Sequence, residues 1–232
     1  MQIIENQSLT SLLRAYLAAG TEQIAQCQQF EAFAASHADV YHRTHPPGHF
    51  TASAWLVSKD GACVLLTHHK KLGRWLQLGG HADGDLDLAN VALREAEEES
   101  GLTGLTIIPE IFDLDAHDIP ARGVVGAPNY EPAHIHWDVR FVVRASAEDF
   151  LVSEESLALS WVDIAALARD VNADASLVRM AEKWLGRPVF KRKLTDLAEA
   201  FAMFTPDFMA EDRVFNEQKE HDWDDLDADH NP

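Results

Sequence analysis

The sequence predicts an α/β/α sandwich around a mixed sheet, with an N-terminal helical pair before it and C-terminal helices after it. Three observations carry that prediction. Apolar residues recur at helical spacing over residues 8–37 and switch to strand-like runs from Phe50. A single well-specified helix, ending at Gly101, interrupts the strands. Strand patterning then resumes, and helical patterning closes the domain after Trp161. That order suits helices packed on a mixed sheet.

Leu9, Leu12, Leu13, Tyr16 and Leu17 form one apolar stripe, and Ile24, Cys27, Phe30 and Phe33 form another, with Gly20 between them. His45-Pro-Pro-Gly48 is a turn. Phe50–Ser58 and Ala62–Thr67 are strands joined by Lys59-Asp60-Gly61, and Trp75–Leu78 is a short strand leading into Gly79-Gly80. Residues 104–116 suggest one or two strands. From Ile135 to Arg144 apolar and polar residues alternate, which predicts a strand buried on one side. Leu157–Trp161 is the last strand, and helices are expected over 163–170, 174–185 and 190–204.

The helix before Gly101 carries the chemistry. Ala89, Ala92, Leu93 and Ala96 make its apolar stripe, Asp85 or Asp87 can cap its start, and Gly101 suits a left-handed stop. Glu95, Glu98 and Glu99 lie side by side at spacings of three and four residues. Three adjacent carboxylates repel one another, and a divalent cation with a preference for oxygen ligands relieves that repulsion.

The run from Gly80 to Leu102 resembles the Nudix box, G-x5-E-x7-R-E-U-x-E-E-x-G-U, where U is a bulky apolar residue. Gly80, Arg94, Glu95, Glu98, Glu99, Gly101 and Leu102 match at the right spacing, and Ala96 is a small version of the first U. Average residue usage gives the six fixed positions a chance likelihood of roughly one in 10⁵. The resemblance implies the Nudix fold over residues 48–186. It leaves residues 1–47 as a helical extension, 187–205 as a C-terminal helix and 206–232 as an acidic tail. It also implies Mg²⁺ (or Mn²⁺), held by Glu95, Glu98 and Glu99 with the main-chain carbonyl of Gly80. Arg94 is expected to brace the carboxylates. One glutamate, or an acid elsewhere, must act as base. The box departs from the family pattern at Leu86, where a glutamate is expected; Asp85 and Asp87 flank it.

Composition narrows the partners. The net charge is −19, and the last 27 residues hold ten acidic and two basic side chains. Such a field repels bulk nucleic acid, while a small phosphorylated substrate, a nucleotide derivative, remains open. The tail is expected to be disordered, unless Phe204, Phe208, Met209, Val214, Phe215 and Trp223 dock it on the body or in trans. No apolar stretch is long enough to span a membrane, and the start of the chain lacks a signal-peptide pattern. A cytoplasmic location, buried thiols at Cys27 and Cys63 rather than a disulfide, and a second copy of the chain as a candidate partner follow as expectations.

Twelve histidines are many for this length. Those at 45, 49, 68, 69, 81, 117, 134 and 136 are expected near one site. Lys70 and Arg74, in a basic loop, are candidates for phosphate capture, and Trp75 is a candidate for base stacking or core. His81, His134, His136 and Arg140 are candidates for holding phosphate or a second metal. A glycine-glycine-histidine turn with a histidine-rich strand also resembles one Nudix subgroup. The expected activity is Mg²⁺-dependent cleavage of a nucleoside diphosphate linked to another moiety. Two alternatives share the fold: an isopentenyl-diphosphate isomerase-like enzyme, which would need a catalytic cysteine, and a nucleotide-binding regulator without catalysis.

Overall fold

The computed structural model describes residues 8–70, 72–127, 130–151 and 156–186. Helices α1 (Leu9–Ala18) and α2 (Ile24–Ser36) lead the chain. Strands β1 (Gly48–Val57), β2 (Cys63–His69) and β3 (Arg74–His81) follow, then α3 (Leu88–Ser100), then β4 (Thr106–Ile119), β5 (His134–Arg144) and β6 (Ser156–Asp163). Helices α4 (Ile164–Leu167) and α5 (Ala175–Gly186) close the described part. The region after Leu105 is one long strand. Its register shifts between Ile108 and Asp113 absorb Pro109, which has no N–H for the ladder. The helix expected over 163–170 is a single turn, capped by Asp163, whose carboxylate accepts from Ala166 N at 2.6 Å. The helix expected at 190–204 and the acidic tail lie outside the described residues.

The strands form one mixed sheet in the order β4-β5-β1-β3-β2-β6. Only β1 and β5 pair in parallel among these neighbours. Every residue of β1 is buried, as expected for a central strand covered on both faces. One face presents Phe50, Ala52, Val139 and Phe141 to α1, α2 and α3. The other presents Trp55, Val57, Phe112 and Val142 to α4 and α5 through Ile164, Leu177 and Met180. Residues 8–47 thus share the core of the sheet, with Leu13 and Phe30 sealed inside it. Cys27 is buried and Cys63 half-buried, and both are free thiols.

The polar face of β5 differs from expectation, because it is covered as well. Asp138 and Arg140 are each 2% exposed. Strand β5 lies between β4 and β1, and α5 packs over its C-terminal half, which takes Asp138 and Arg140 out of solvent while His136 stays half-buried. Arg140 Nε donates to Asp138 at 2.8 Å, its Nη1 to Asp113 at 3.3 Å, and its Nη2 pairs with Asp115 at 3.1 Å. Arg179 adds bonds to Asp113 (2.8 Å) and Asp115 (2.9 Å), and Lys183 one to Asp113 (3.0 Å). Three cations and three carboxylates therefore balance. Lys183 also donates to Tyr16 and Gln23, and Gln23 Nε2 donates to the Leu114 carbonyl at 2.7 Å, which ties the leading helices to β4 and α5.

Removing one member of a buried ionic group leaves the others uncompensated, at about 3–5 kcal/mol. Asp113→Ala is expected to lower stability by that amount, read as a drop in urea midpoint. Burial pulls the Asp115 carboxyl upward, but the His117 bond and the Arg140 and Arg179 charges outweigh it and hold Asp115 well below the usual carboxylate range. The unfolded chain, with a carboxylate pKa of about 3.9, then takes up this proton first. The contribution is complete above about pH 4 and is lost as pH falls below it. Acid titration of the thermal midpoint is expected to show that loss, and Asp115→Asn to flatten it.

Candidate active site

Strand β3 ends in Gly79-Gly80-His81, and α3 crosses it. A side chain at Gly80 would collide with the Glu95 carboxylate, so that carboxylate lies directly against the Gly80 backbone. Gly79 N donates to Glu99 Oε1 at 3.2 Å. Two glutamates four residues apart therefore rest on a strand end that only glycine makes approachable. Glu98, on the neighbouring turn, is exposed. These groups are carboxylate and peptide oxygens, the donor set that Mg²⁺ and Mn²⁺ favour.

Arg94 is braced from two sides. Its Nη2 donates to Glu95 Oε1 at 3.4 Å, and its Nη1 lies 3.7 Å from Asp85 Oδ2. Asp87 instead caps α3, accepting from Asn90 N at 3.0 Å. The two aspartates beside Leu86 thus divide the work, and it is Asp85 that faces the arginine. Leu86 itself is exposed. Gly101 ends the helix at φ 66°, as its sequence position suggests.

The other sheet face at this end holds five imidazoles. His49, His81, His117, His134 and His136 form a chain of ring contacts with centroids 4.9–5.5 Å apart. Pairing explains the gathering: His49 lies opposite His136, His117 opposite His136, and His81 opposite Thr51. Burial and the neighbouring rings hold His49 down to about 3 and His136 down to about 2; burial lowers His81 as well, with the Arg43 charge adding to it. These three rings are therefore neutral near pH 7. His117 is held by Asp115 at 3.1 Å.

Not every expected residue joins them. His68, His69, Lys70 and Arg74 lie at the opposite end of β2 and β3, about 23 Å away by strand rise. Arg74 there pairs with Asp174 at 3.3 Å. Trp75 is half-buried and packs with the cluster under α4 and α5, stacking on His68. Arg140 is buried in its ionic network and presents no free edge to a ligand. His45 pairs with Asp39 at 3.0 Å instead of joining the cluster. One cation was missed. Arg43 pairs with Asp83, just past His81, where Asp83 takes a left-handed φ of 49°. Its position in a histidine-flanked turn before β1, in a chain poor in cations, was the available signal.

The NUDIX domain family model matches residues 47–181. No curated protein matches the chain. Among solved structures, a NUDIX-family hydrolase from Clostridium perfringens is 28% identical, covering 59% of this chain and 95% of its own, with a TM-score of 0.42. An Ap4A hydrolase from C. elegans is 18% identical, covering 63% and 97%, with a TM-score of 0.43.

The two aspartates are separable by mutation. Asp87→Ala removes a helix cap and is expected to lower stability by about 1 kcal/mol, seen in thermal melts. Asp85→Asn keeps the cap and is expected to cost a smaller amount, while releasing Arg94, visible as a changed guanidinium resonance in NMR.

Proposed function

This chain belongs to the Nudix family of hydrolases that act on pyrophosphate bonds, and from that premise we propose that it cleaves a nucleoside diphosphate linked to another moiety, using Mg²⁺ or Mn²⁺. The observation that carries the proposal is the seating of Glu95 and Glu99 on the Gly79-Gly80 backbone. Glu95, Glu98, Glu99 and the Gly80 carbonyl would hold the cation. A cation held there would supply charge neutralisation to the pyrophosphate oxygens and would acidify the attacking water. Water adds to phosphorus, the bond to the bridging oxygen breaks, and one fragment leaves as a monophosphate. Arg94, held by Asp85, keeps the Glu95 carboxylate in place. His81, expected at the substrate, follows Gly80 directly but turns its ring to the opposite sheet face, against His49 and His136. One of the site carboxylates takes the proton from water.

The isomerase alternative lacks its nucleophile at this place. Cys27 is 1% exposed within α2, and Cys63, whose N donates to Ser58 Oγ at 3.0 Å, lies at the far end of β1, about 30 Å from His49 by strand rise.

The test is a panel of nucleotide sugars, ADP-ribose, dinucleoside polyphosphates and nucleoside triphosphates with added Mg²⁺. Metal-dependent release of monophosphate or phosphate is expected from at least one class. Glu98→Gln and Glu99→Gln are each expected to lower kcat by about 10²-fold or more with unchanged melting. Full activity in both would overturn the assignment. Gly80→Ala is expected to act similarly, by displacing Glu95. Isomerisation of an isopentenyl substrate, or tight nucleotide binding without turnover, would decide for an alternative.

A further inference from the structure

On the sheet, Gly80 and His81 point to opposite faces, since successive strand residues alternate. The Gly80 side meets Glu95; the His81 side meets the imidazole cluster. Within that cluster His49, His81 and His136 each bring a ring nitrogen within 4.8 Å of the other two. His49 is 1% exposed, and among the described residues neither of its ring nitrogens has a hydrogen-bond partner. Buried polar atoms left without partners are few in folded proteins, and a bound ion is one of their recognised causes.

We propose that His49, His81 and His136 form a second metal site, which takes a first-row transition ion of the Zn²⁺ type and is distinct from the carboxylate site. Three neutral imidazoles suit Zn²⁺, Co²⁺ or Ni²⁺ and are poor ligands for Mg²⁺, which demands oxygen. A tetrahedral centre with bonds of about 2.1 Å needs nitrogens about 3.4 Å apart, which small ring rotations supply from the observed separation. A fourth position is left for water or a substrate oxygen, as in catalytic rather than structural zinc sites.

The surroundings orient a ligand in the way such sites require. The Pro132 carbonyl can only accept, so His134 Nδ1 donates to it, at 2.8 Å. His134 Nε2 lies 3.1 Å from His136 Nε2 and 3.8 Å from Glu131. With His136 Nε2 as the donor of that contact, its Nδ1 is the nitrogen left for the metal. A ligating histidine whose other nitrogen donates to a fixed acceptor is the usual outer-shell arrangement.

This site stands apart from the proposed hydrolysis, and its test does not use activity. The full chain is stripped with a chelator and titrated with Co²⁺, followed by visible absorption, and with Zn²⁺, followed by calorimetry. One equivalent with intense tetrahedral Co²⁺ bands is expected. His81→Gln and His136→Gln are each expected to weaken binding by at least about 10-fold and abolish the bands, with folding checked by circular dichroism. If His49→Gln fails to fold, those two carry the result. Glu98→Gln and Glu99→Gln are expected to leave the bands intact. Absence of Co²⁺ and Zn²⁺ binding in the wild-type chain would overturn the proposal. So would binding that survives in the histidine variants, or that is lost in the glutamate variants.

Discussion

Arg140 is a guanidinium sealed inside the sheet, and the carboxylates around it fix the elements that build both ends of the molecule. A buried charge is tolerated only when fully paired, so its partners cannot drift. Asp113 and Asp115 come from β4, Asp138 from β5 itself, and Arg179 and Lys183 from α5. Asp138 extends the constraint further, accepting from Thr51 and Ser53 on β1 and from Gln77 on β3. Four adjacent strands and one helix are thereby held in register by polar contacts where an apolar core would have permitted sliding.

That register is what assembles the histidines. The polar face of β5 runs from His134 and His136 through Asp138 to Arg140, and β1 runs beside it in parallel. Because Asp138 is fixed against Thr51, His136 is fixed against His49 one step further along. Slipping either strand by a single residue would turn these rings to the opposite face. The same face grows progressively more apolar beyond Arg140, where Val142 and Trp55 meet α4 and α5. One strand face thus serves as ligand set, ionic lock and core along its length.

The two sides of β3 differ in donor chemistry for a local reason. At Gly80 the missing side chain lets a carboxylate from α3 reach the backbone, creating a region of hard oxygens. At His81 the side chain turns the other way, toward nitrogen donors. Arg94 stabilises the oxygen side, and the departure at Leu86 is met by Asp85, which reaches the arginine from a turn in which Asp85 also accepts from Asp87 N. The acid that faces Arg94 is thus the neighbour one position before the departure in the linear motif.

The fold class, the order of its elements in the described residues and the box glutamates were legible in the sequence, because they depend on local periodicity and fixed short spacings. Helix α3 illustrates this: its stripe, its glycine stop and its adjacent carboxylates all lie within one continuous run. The choice between Asp85 and Asp87 was not legible, since both are near enough in sequence and only the path of the turn aims one of them at Arg94. Nor was the fate of Arg140, whose alternation on β5 predicted an accessible polar face. Burial of that face depends on α5, more than thirty residues later. The basic loop and the histidines make the same point in opposite directions: His68, Lys70 and Arg74 are close to the box in sequence but a strand length away in space, whereas His49 and His136 are distant in sequence and face each other. Sequence determined which chemistries the chain carries; strand pairing decided which of them meet.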